Sequence, residues 1–175
     1  MRREVDRDRV LGFLAHLGRS LREPTTLYLS GGATAVLYGW RPTTIDVDIR
    51  VEPERDELFH AIQRLKEELA INVELASPLD FLPEPPGWRD RSPMVTQEGP
   101  LTARHLDPYA QALAKIERDH EVDRADVTAM LERRLIDPHR LLELFHSIEP
   151  ALYRFPAVHP ASLRSRVEAV VDRPT

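Results

Sequence analysis

A chain of 175 residues, 42% hydrophobic and 30% charged, is long enough to bury one sizeable core and has the balance of a soluble globular protein. It has no cysteine, which excludes disulfides and thiolate metal sites, and its net charge of −5 excludes a general basic field for nucleic acid. The apolar runs are shorter than a membrane span and the charged start MRREVDRDR lacks the apolar stretch of a secretion signal. A cytoplasmic protein with no membrane partner is expected.

In chain order, Val10, Phe13, Leu14, Leu17 and Leu21 fall on one helical face and predict an amphipathic N-terminal helix. Residues 26–30 read as a strand, 31–38 as a small-residue turn into a short helix, and 39–44 as a loop. Residues 45–51 alternate strictly: Ile45, Val47, Ile49 and Val51 on one side, Asp46, Asp48 and Arg50 on the other. That is the period of a half-buried strand. Leu58, Ile62, Leu65 and Leu69 form a helical stripe within 54–69, and 72–75 is a third short strand. Residues 77–93 make a stiff excursion carrying Pro78, Pro83, Pro85, Pro86 and Pro93, of a length typical of lids and partner surfaces. Residues 94–96 and 101–106 suggest a peripheral hairpin around Glu98-Gly99-Pro100. Beyond Pro108 the pattern is helical over 109–118, 122–134 and 138–148, with a weak last helix over 162–171. The expected fold is α/β (α+β): a small mixed sheet flanked by helices over 1–107, then a helical region over 108–175 that closes a cleft.

The aspartates carry the chemistry. Asp46 and Asp48, two apart on a strand, point the same way about 7 Å apart. Two anions on one face repel unless a cation lies between them, and a hard divalent ion takes such oxygens together with phosphate oxygens. Alone, an Asp-x-Asp is most often a solvated strand face. Here Ser30-Gly31-Gly32 lies upstream at a strand-to-helix junction, where glycines let backbone N–H groups approach a phosphate and the helix N-terminus favours an anion. Thirteen residues separate Gly32 from Asp46, enough for a short helix and a return loop that would bring cradle and carboxylates together. Glu74, alternating with Val73 and Leu75, is a candidate third carboxylate, and an exposed strand-edge glutamate is the equal alternative. Asp80 is the substitute.

The stretch YLSGGATAVLYGWRPTTIDVDI resembles the signature of the minimal nucleotidyltransferases of the DNA polymerase-β-like superfamily. The arrangement Gly-Gly-x-x-Ala followed by Arg-x-x-Thr-x-Asp-x-Asp is more similar still to the AbiEii-like and MenT-like toxins of bacterial toxin–antitoxin systems. Gly31, Gly32, Ala35, Arg41, Thr44, Asp46 and Asp48 take the matching positions. A second block, ALAKIERDHEVDRADVTAML, resembles the same toxins through Lys115, Asp123 and Asp126. Glu74 stands where an aspartate is usual, and Val122 where a basic residue is usual.

The resemblance implies a magnesium- or manganese-dependent transfer of a nucleoside monophosphate from a nucleoside triphosphate to an acceptor hydroxyl, on a tRNA 3′ end or a protein. A cognate antitoxin is an implied partner. It assigns metal binding and catalysis to Asp46, Asp48 and Glu74 and phosphate contacts to Ser30, Gly31 and Gly32. Arg41, Thr44, Asp123 and Asp126 are placed at the nucleotide, and Lys115 is a catalytic cation. Read on their own, Asp123 and Asp126 share a helix face and would equally form a surface salt bridge with Lys115. A catalytically silent binding or regulatory module is the alternative function. The seven histidines show no metal-binding spacing, Tyr38 and Trp40 are packing residues or base-stacking platforms, and Arg133, Arg134 and Arg140 mark either a solvated basic face or a contact for RNA phosphates.

Overall fold

The computed structural model describes residues 3–172, so the outermost ends of the two expected segments lie outside the described residues. Its elements alternate as α1 (Arg7–Ser20), β1 (Thr25–Ser30), α2 (Gly31–Tyr38), β2 (Asp46–Glu52), α3 (Asp56–Glu68), β3 (Asn72–Leu75), β4 (Met94–Glu98) and β5 (Leu101–His105). Helices α4 (Pro108–Arg118), α5 (Glu121–Glu132), α6 (Pro138–Ile148) and α7 (Pro160–Val171) follow. The chain divides into two compact units: the described residues up to Ser77 with Ser92–Leu106, and Pro78–Arg91 with the described residues from Asp107.

The first unit is built on a five-stranded mixed sheet of order β3-β2-β1-β5-β4. β1 pairs antiparallel with β2 and parallel with β5, while β2 and β3 are parallel. The alternation read in β2 has a direct consequence. Val47, Ile49 and Val51 are buried with Leu27, Leu29, Val73, Leu101 and Ala103 against Phe13, Leu14 and Leu17 of α1 and Leu58, Ile62 and Leu65 of α3. Each such side chain contributes roughly 1.5–3 kcal/mol on burial. That fixes the opposite, polar face of β2 outward from the core. Asp6 caps α1 by accepting from the Arg9 amide at 2.9 Å.

Two local expectations change. β2 begins at Asp46, Ile45 is exposed, and Val5 forms an isolated antiparallel bridge with Thr44 just before the strand. The hairpin of β4 and β5 is not peripheral as a whole: β5 lies inside the sheet beside β1, and only β4 is an edge.

The second unit gathers α4 to α7 around buried Leu113, Ile116, Met130, Leu141, Phe145, Leu163 and Val167. The proline-rich excursion, read from sequence with the 1–107 segment, joins this unit through Pro78–Arg91. Leu79, Leu82 and Trp88 are buried, and Arg91 Nη2 donates to the fully buried Asp107 at 2.6 Å, the residue that caps α4. Burial pushes the Asp107 carboxyl up, and the Arg91 guanidinium pulls against that shift.

Candidate active site

Paired positions in neighbouring strands project to the same face, so the sheet register aligns polar residues that the sequence scatters. Ser30 pairs with Asp48 across β1 and β2, and Asp48 pairs with Glu74 across β2 and β3. Asp46 pairs with Asn72 in the same way. A hydroxyl, three carboxylates and an amide therefore share one sheet face in the first unit, next to the start of α2.

Both glycines at that start are required by what they face. Gly31 adopts φ +60°, a left-handed conformation, and a side-chain carbon there would lie 2.8 Å from Asp48 Oδ2. On Gly32 such a carbon would lie 2.0 Å from Thr44 Oγ1. Thr44 in turn donates to the Asp46 carbonyl at 3.1 Å and exchanges backbone bonds with Val5 at 2.7 and 2.9 Å. Thr44 thus sets the entry of β2 against the first turn of α2, and Gly32 is the residue that lets them approach. Ser30 occupies the N-cap position of α2 and is buried, yet its side chain makes no capping hydrogen bond. An N-cap serine ordinarily uses its oxygen on the first-turn amides.

Glu74 is exposed, and its Oε1 accepts from Asn72 Nδ2 at 3.1 Å. The same Nδ2 donates to Asp46 Oδ1 at 2.5 Å. The strand alternation that singled out Glu74 applies equally to Asn72, which the sequence reading passed over. Among the described residues no three His, Asp or Glu side chains cluster closely enough to hold a metal ion. The donor set that fits a magnesium ion is the Asp46–Asp48 pair, since magnesium is commonly held by one or two carboxylates together with substrate phosphates and water.

Behind α2, His105 was also passed over. It is buried, bonds Thr34 Oγ1 through Nδ1 at 3.1 Å and stacks on Tyr38 at 4.4 Å. Burial lowers its pKa to about 4. Trp40 stacks on Tyr38 at 5.7 Å, so Tyr38 is packed between two rings. Arg41 follows in the loop between α2 and β2.

Lys115, Asp123 and Asp126 belong to the second unit and form a cluster of their own. Lys115 Nζ donates to Asp126 Oδ2 at 2.6 Å and stands 3.7 Å from Asp123 Oδ1. Arg118 grips Asp123 through Nε and Nη2, at 3.2 and 2.6 Å. All three clustered residues are buried. The lysine also lines a cavity of ≈ 180 Å³ between α4, α5 and α7 with Asp119, Arg124 and Arg166.

A strand, a glycine turn into a short helix, and a return strand bearing paired aspartates define a nucleotidyltransferase-like α/β protein. The family model described as "Nucleotidyltransferase of unknown function (DUF6036)" matches residues 14–161, and the chain belongs to that family. Comparison with curated proteins and with solved structures gave no match. Among the described residues no helix is long and apolar enough to cross a membrane.

Proposed function

We propose that the protein transfers a nucleoside monophosphate from a nucleoside triphosphate to an acceptor hydroxyl, with Asp46 and Asp48 holding magnesium or manganese. The observation that supports this most is the meeting of Asp48 with Gly31 at the N-terminus of α2, beside the buried, non-capping hydroxyl of Ser30. An Asp48 carboxylate beside the phosphate-favouring end of a helix, within one unit, supports the reading.

In the proposed reaction the acceptor oxygen attacks the α-phosphorus, the bond to the bridging oxygen of the β-phosphate breaks, pyrophosphate leaves and the hydroxyl proton is released. Ser30 and the Gly31–Gly32 backbone orient the phosphates, and Thr44 keeps Asp46 and Asp48 in register with them. A bound divalent ion would supply charge neutralisation to the triphosphate and the attacking oxygen. The acceptor class we propose is the one carried by the resemblance of the Gly-Gly-x-x-Ala and Arg-x-x-Thr-x-Asp-x-Asp pattern to toxin nucleotidyltransferases: the 3′ end of an RNA such as tRNA, with an antitoxin as partner.

The test is transfer of label from each of the four α-labelled triphosphates into total cellular RNA and protein. Label on RNA 3′ ends is the expected result. Label on protein alone would replace the acceptor, and label in neither pool would contradict the reaction.

A further inference from the structure

We propose that Asn72 is a positioning residue for the metal-binding aspartate, and that Glu74 serves the site through Asn72 instead of acting as a third ligand. The inference rests on the nucleotidyl-transfer reading of the Asp46–Asp48 pair.

Asn72 and Glu74 are two apart on β3, so they share the face of their register partners Asp46 and Asp48. The Asn72 side chain spans two carboxylates, with Nδ2 at 2.5 Å from Asp46 Oδ1 and 3.1 Å from Glu74 Oε1. A carboxylate only accepts, so the amide must turn its NH₂ end to both, and each of its two N–H bonds is committed. Two consequences follow. Asp46 is held at Oδ1, which restricts its rotation and presets the carboxylate for a ligand shared with Asp48. The amide N–H bonds directed at Asp46 and Glu74 also offset part of the repulsion between the two carboxylates. Glu74 anchors the far end of the amide and stops it from swinging away. Groups that hold a metal ligand in this way typically alter metal affinity by about 10–100-fold when removed.

Manganese titration of the purified protein, followed by electron paramagnetic resonance with an α,β-methylene triphosphate present, reads this without turnover. Asn72→Leu and Asn72→Ser should weaken manganese binding roughly 10–100-fold. Glu74→Ala should weaken it less, and should cost nothing further when added to Asn72→Leu, because groups acting in series are not additive. Manganese binding unchanged in both Asn72 variants would overturn the proposal. So would an equal loss from Glu74→Ala in both backgrounds, the behaviour of an independent ligand. Should Asn72→Leu fail to fold, Asn72→Ser decides and serves as the second background. Asp46→Asn separates the levels. If it abolishes binding while the Asn72 variants bind normally, the site stands and the positioning role falls. If it binds manganese as the wild type does, the metal reading falls and takes this inference with it.

Discussion

Asp48 and Gly31 meet so closely that a side-chain carbon on Gly31 would lie 2.8 Å from Asp48 Oδ2. The oxygen is the far end of a side chain, so an alanine at 31 would displace the carboxylate before it displaced backbone. Gly31→Ala should therefore cut transfer by at least about 10-fold if Asp48 must be held in place, while the left-handed backbone adds only about 1–2 kcal/mol of strain. Rates and urea melts measured on the same preparation check both halves.

Gly32→Ala should do the reverse. The new carbon would meet Thr44 Oγ1 at 2.0 Å and Thr44 Cβ at 2.7 Å. Thr44 is β-branched and pinned through its backbone to Val5, so it has little room to yield. A stability loss of about 1–3 kcal/mol is expected from such overpacking, read as a lower urea midpoint.

How much of this was legible in the sequence depended on the range of the interaction. The strict alternation of 45–51 yielded β2 and its two faces, since period two follows from backbone geometry alone. The Ser30–Asp48–Glu74 row needed strand order and register, which no local pattern encodes. Gly32 was read as part of a phosphate cradle, and its partner Thr44 emerged only when the return loop was placed. Asn72 carried the same alternation signal as Glu74 but lacked a charge to draw attention. The excursion rich in proline signalled length and stiffness, whereas its attachment through Arg91 and Asp107 is a contact between distant positions.

Lys115 offers a third test. Its amine is buried against Asp126 and near Asp123, both themselves buried. Lys115→Met should cost about 3–5 kcal/mol, because it removes the buried ammonium from which Asp126 accepts at 2.6 Å, while Arg118 still holds Asp123. Thermal or urea unfolding reads the loss. An unchanged midpoint together with a loss of transfer would assign the lysine to catalysis instead.

His105 predicts a pH dependence. Its folded pKa, about 4, is depressed below the ordinary 6.5 by burial. Between those values the unfolded chain binds the proton and the folded chain does not. The stabilisation is full above pH 6.5 and lost as pH falls to about 4, roughly 3 kcal/mol in all. Asp107 works in the opposite sense, since its raised pKa favours the folded state at low pH until the folded carboxyl ionises, and it offsets part of the loss. Urea unfolding at pH 4.5, 5.5 and 7 should show falling stability on acidification, and His105→Asn should flatten that slope.

The central claim is that the Asp46–Asp48 pair carries nucleotidyl transfer. Its most direct test compares wild type with Asp46→Asn and Asp48→Asn in magnesium-dependent transfer from an α-labelled triphosphate into cellular RNA, with matched melts. Both substitutions keep shape and remove one negative charge from a half-buried strand face. The account predicts label transfer by the wild type, a loss of at least about 100-fold in each variant, and unfolding midpoints close to that of the wild type. Transfer by the variants at the wild-type rate, or none by the folded wild type with any of the four triphosphates, would contradict it.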